Sequence, residues 1–139
     1  MKTSLLAIIA AAALLLNGCQ SGVNDQLIID GVSIGVSTAL TFVTDANARA
    51  TIKNYLQGYA PGLRTITSNP QPAQLAALIQ QYTPQNIKDQ YPQVVAFATP
   101  LVINAVESAI AHYGTDNATV VKVVNDVATG LEIGSTVAH

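Results

Sequence analysis

Between Asp25 and Val43 the chain runs nineteen residues without a turn signal, too long for one ordinary β-strand. Its apolar positions, Ile28, Val32, Gly35, Val36, Ala39, Leu40 and Val43, recur at intervals of three and four and line one side of a helix. Leu27, Ile29, Ile34 and Phe42 widen that stripe, which predicts a central or doubly covered helix. Within it, Gly31-Val-Ser-Ile-Gly35 places two small residues four apart, so that another backbone can come close. With Asp30 in the same segment, the pattern favours a tight crossing in a soluble bundle over a dimerisation face in a membrane.

Proline and glycine divide the rest of the chain into segments of the same kind. Thr44 or Asp45 can cap a second helix reaching about Gln57, with Gly58 as its stop and Ala48, Ile52, Tyr55 and Leu56 as its core face. Pro61-Gly62 reads as a break, followed by a loop from Thr65 to Asn69. Asn69-Pro70 has the form of a cap with proline in the first turn, opening a helix that buries Leu75, Leu78, Ile79 and Tyr82. Thr83-Pro84 repeats that signal for a short helix ending near Gln90. Tyr91-Pro92 opens the longest apolar helix, to about Tyr113, with Pro100 predicting a kink or break near Ala96 to Thr99. Gly114 ends it, and Asp116 caps a last helix whose core face is Val120, Val121, Val124, Val127, Ala128 and Leu131. Gly130 and Gly134 are expected to weaken its end, leaving the tail to His139 loose. The sum is an all-α fold, a compact bundle of five to six helices with short connections.

The first residues belong to a different regime. Lys2 precedes an unbroken apolar run from Leu5 to Leu16, and Leu16-Asn17-Gly18-Cys19 follows at once. A twelve-residue helix rises about 18 Å against a hydrocarbon core of roughly 30 Å, so the run is too short for a permanent span. Charge, apolar stretch and small residue before the cut are the parts of a secretory signal. The tetrad resembles the lipobox of a bacterial lipoprotein precursor. That resemblance implies cleavage between Gly18 and Cys19 and a thioether-linked diacylglycerol on Cys19. It also implies attachment to a membrane through that lipid. Gln20 stands where Asp would favour inner-membrane retention, so the resemblance points to the periplasmic side of the outer membrane. The chain then divides into a signal peptide at 1–18, a lipidated N-terminus and short tether at 19–24, and one α-helical domain at 25–139. Cys19 is the only cysteine, so no disulfide can form within the chain.

Composition argues against one class of partner. Without Lys2 the chain carries five basic residues against eight acidic ones, a net charge of −3, and no basic stripe. Nucleic acid is therefore not an expected partner. Only 10% of residues are charged, so the surface must be built from Gln, Asn, Thr, Ser, Ala and Val.

Chemistry leaves few traces. Nucleophilic catalysis needs a base within reach of a nucleophile and a group that orients it. His139 is terminal, and His112 reads as a helix-end residue suited to the dipole there. No Cys or His pair stands at metal-ligand spacing. Asp25 and Asp30 are five apart and Asp126 and Glu132 six apart, so neither pair shares a helix face well. Asn117-Ala-Thr119 reads as a first helical turn, and the five tyrosines as helix-end packing more than a shared recognition surface. No catalytic, cofactor-binding or metal residue is assigned, and the chain is read as non-enzymatic.

The expected role is a membrane-anchored interaction module of the bacterial envelope that binds another envelope protein. Helical lipoproteins that pilot secretion components or exclude infection are similar in size and layout. A bilayer-perturbing lipoprotein, or a lipoprotein inhibitor of an envelope enzyme, is the alternative.

Overall fold

The computed structural model describes residues 24–137, and among them the chain forms six helices and no strand. They are α1 (Asp25–Leu40), α2 (Ala46–Leu63), α3 (Pro72–Gln81), α4 (Gln85–Gln90), α5 (Gln93–Tyr113) and α6 (Asn117–Val137). This is the all-α bundle that the apolar spacing predicts. Cys19, Gly18 and His139 lie outside the described residues.

The starts of α1, α2 and α6 are held by side-chain oxygens that satisfy otherwise orphaned N–H groups. Asn24 accepts from the Leu27 amide at 3.0 Å, Asp45 from Asn47 at 3.2 Å, and Asp116 from Thr119 at 3.1 Å. Two expected starts move. α3 begins not at Asn69-Pro70 but at Gln71, whose N–H donates to Gln74 Oε1 at 2.7 Å, with Pro72 in the first turn. Thr83 caps nothing: it is buried, and its hydroxyl is used inside the core.

Two breaks predicted from proline and glycine do not occur. α2 continues through Gly58 and Pro61 to Leu63, and α5 runs through Pro100 without interruption. Proline removes the donor for the carbonyl four residues earlier. Those carbonyls belong to Gln57 and Ala96, both on exposed positions where water can replace the lost bond. Burying Tyr59, Ala60 and Leu63, and Phe97, Leu101 and Val102, then outweighs the local cost. Gly62 leaves room for the Tyr82 ring, which a Cβ built at that glycine would meet at 2.9 Å. Gly114 does end α5, with φ of 133°.

One contiguous apolar core joins α1, α2, α3, α5 and α6. Its centre includes Tyr59, whose hydroxyl lies 2.6 Å from Thr83 Oγ1. Thr83 spends its only hydroxyl proton on the Ile79 carbonyl, also at 2.6 Å, so Tyr59 is the donor in this relay. Val121, expected in the core, is only half-buried, whereas Val123 is fully buried.

The most extensive packing is between the first and last helices. Gly130 faces Val32 and the Ile29 carbonyl, and Gly134 faces Ser33 and Val36, so α1 and α6 run parallel. A Cβ built at Gly130 would meet Val32 Cβ at 2.6 Å, and one at Gly134 the Ser33 carbonyl oxygen at 2.7 Å. These glycines do not loosen the end of α6. They form a small-xxx-small ridge that lets two backbones touch, and the helix continues to Val137. Gly31 and Gly35 of α1 are buried as well.

α2 runs antiparallel to α6. Gln57 donates to Thr136 at 3.4 Å, while Arg64 at the other end donates to Glu132 at 2.6 Å and Thr129 at 3.2 Å. α5 turns back into α6 at Gly114, and α3 and α4 pack on α5.

Candidate functional site

The structure regroups the carboxylates. Asp30 accepts from Gln26 within α1 at 2.7 Å, and Glu132 is held by Arg64. Asp25 and Asp126, distant in sequence, face one another across the α1–α6 seam. The register explains why. Asp126, Gly130 and Gly134 are spaced by four on one ridge of α6. The two glycines meet Ile29/Val32 and Ser33/Val36, so one turn lower Asp126 meets the level of Asp25 and Ile28. Asp126 Oδ2 is buried and accepts no hydrogen bond from any described residue. Burial, then the Asp25 carboxyl opposite, pushes Asp126 up to about 7, against the opposing pull of Lys122 one turn away. Spacing within each helix hides this pair. The clue available in the sequence was Asp126-x-x-x-Gly130-x-x-x-Gly134, which puts the acid on the close-contact ridge.

At the far end of α1 an apolar groove of about 300 Å³ opens between the α1–α2 connection, the start of α2 and the start of α5. Ala39, Val43, Ala48, Ile52 and Phe97 line it, and Asp45 and Gln93 also border it. Phe42, expected to widen the buried face of α1, lies beyond the helix end on the groove wall and is 40% exposed.

His112 sits in the last turn of α5, as expected, edge-on to the Tyr113 ring with centroids 4.6 Å apart. Its Nε2 and the Tyr113 hydroxyl are buried without a partner among the described residues, and no nucleophile is hydrogen-bonded to either. No group of three His, Cys, Asp or Glu residues among the described residues could hold a metal ion. The tyrosines do not share a surface: Tyr59 is core, Tyr82 covers Gly62, and Tyr55, Tyr91 and Tyr113 pack at the core's edge. By length and composition α5 is apolar enough to cross a membrane. Its face of Val94, Phe97, Ala98, Leu101, Val102, Val106, Ala109 and Ile110 is buried in the bundle.

No protein-family model, curated protein or solved structure matches this chain.

Proposed function

We propose that this protein is a lipid-anchored, non-enzymatic binding module of the bacterial envelope, acylated on Cys19 and held on the periplasmic side of the outer membrane. The observation that carries the reading is the apolar run closing on Leu16-Asn17-Gly18-Cys19. From Cys19 to Asn24 the chain can span at most about 18 Å, so an anchored body stays near the bilayer. The groove beside Phe42 lies at the opposite end of α1, about 24 Å further along a sixteen-residue helix. With α1 directed away from the bilayer, an anchored bundle carries its apolar groove clear of the lipid, where an envelope protein can reach it.

Three measurements test this. Mass spectrometry of the N-terminal peptide should find a diacylglyceryl Cys19, and Cys19→Ser should release the protein from membranes as a soluble monomer. A photocross-linker at Phe42 should give a defined envelope product that the same probe at exposed Asp89 does not. An unmodified Cys19 with unchanged fractionation overturns the anchor. Membrane retention of Cys19→Ser favours the bilayer-perturbing reading, for which the apolar character of α5 is the supporting feature.

A further inference from the structure

We propose that Asp25 and Asp126 form a proton-controlled latch that holds the first turn of α1 against α6. The latch stands on the α1–α6 packing alone; its effect on the anchor rests on the reading of Cys19 given above.

Three features make this a device and not an incidental contact. The first is position: Asp126 continues the Gly130 and Gly134 ridge, so close approach of the two backbones forces its carboxyl toward α1. The second is hydrogen bonding. Asp126 Oδ2 is buried with no donor, and two carboxylates can bond to each other only through a shared proton. The third is a difference in how firmly the two helices are held at this level. Around Asp126, α6 is fixed by fully buried Val123, Val124, Val127 and Ala128. The first turn of α1 holds exposed Asp25 and Gln26 and half-buried Leu27, and its first buried apolar residue is Ile28. Repulsion between two ionised carboxylates is therefore relieved by fraying α1 and not by moving α6.

The charges acting on Asp126 are Asp25 from α1 and Lys122 from its own helix. Among the other elements packed on α6, α2 brings Arg64, which is committed to Thr129 and Glu132 further along. α5 offers Glu107, His112 and Tyr113, with the latter two packed edge-to-face at its end. With the proton in place the latch is closed. Its loss leaves a desolvated anion facing a like charge, and the turn nearest Cys19 opens. In an anchored protein, opening adds one helical turn to the tether and lets the body stand further from the bilayer.

Hydrogen exchange on the full chain reads the latch directly at the Ile28 and Ile29 amides, the former bonded to the Asn24 carbonyl at 3.2 Å. After correction for intrinsic exchange, their opening should rise about tenfold or more between pH 5 and pH 8. In Asp126→Asn, whose amide can donate to Asp25 at any pH, the change should stay within about twofold. Asp25→Asn should be equally flat, giving a second variant should one fold poorly. An unchanged pH response in both variants, or equal opening at Val127, overturns the latch in favour of global destabilisation. The response should persist in Cys19→Ser, so failure of the anchor and failure of the latch are distinguishable.

Discussion

Gly58, Gly130 and Gly134 all lie inside helices, yet alanine at each should change stability in different directions. Alanine is favoured over glycine in a helix interior by about 1 kcal/mol. At Gly58 nothing lies within 4 Å of a built Cβ, so Gly58→Ala should gain most of that amount. At Gly130 the new methyl carbon would stand 2.6 Å from Val32 Cβ and 3.0 Å from the Ile29 carbonyl oxygen. At Gly134 it would stand 2.7 Å from the Ser33 oxygen and 3.0 Å from Ser33 Cα. None of these atoms ends a flexible side chain, so a rotamer change cannot clear the overlap and the helices must separate. Overpacking of this kind costs about 1–3 kcal/mol, with the backbone contacts placing Gly134 toward the upper end. The propensity gain offsets part of this, leaving a net loss of about 1–2 kcal/mol, or several degrees in Tm for a domain of this size. Urea unfolding followed by circular dichroism gives all three values on one scale. Equal or greater stability in Gly134→Ala would refute the close parallel crossing of α1 and α6.

Other outcomes follow from the buried polar groups. Tyr59→Phe removes one buried hydrogen bond and should cost about 1 kcal/mol, while Thr83→Val strands the Tyr59 hydroxyl and should cost about 1–3 kcal/mol, with the reverse order refuting the direction of the relay. Burial also raises the Tyr59 phenol above its ordinary range, so its contribution is intact below about pH 10 and falls as pH rises further. Asp126, raised to about 7, contributes stability that is complete below about pH 4 and lost as pH rises through 7. The unscreened equivalent is about 4 kcal/mol, reduced to about 1–2 kcal/mol for a carboxyl that is partly solvated. Asp126→Asn should therefore match the wild type near pH 4 and exceed it by that amount at pH 8, measured by denaturant titration at both pH values.

Much of the helical architecture was legible because burial repeats at three and four along α1, α5 and α6, and the caps Asp45 and Asp116 stand where their chemistry predicts. The misreadings have physical causes. Gly58 and Pro61 look like stops, but both occupy solvent-facing positions of α2, where water tolerates what a buried turn would not. Gly130 and Gly134 look like weak points because the letter for glycine covers both looseness and close approach; only a partner from the other end of the chain decides which applies. The Asp25–Asp126 pair was hidden for the same reason, since it depends on the register between α1 and α6. The groove depended on where α1 stops. It ends at Leu40, three residues short of Val43, and this swings Phe42 out of the core face.

The parallel seam between α1 and α6 also sets a timetable. A chain made or threaded N-terminus first presents α1 early, and its principal partner is the last helix to arrive. Contacts that close a loop of about a hundred residues form slowly, and until then Val32 and Val36 lack the Gly130 and Gly134 backbone they pack on. During that interval α1 is an apolar helix without a mate, open to aggregation or to capture by a chaperone. Completion of α6 is therefore the event that commits the fold, and losing the last few turns should harm assembly more than the same loss from α4.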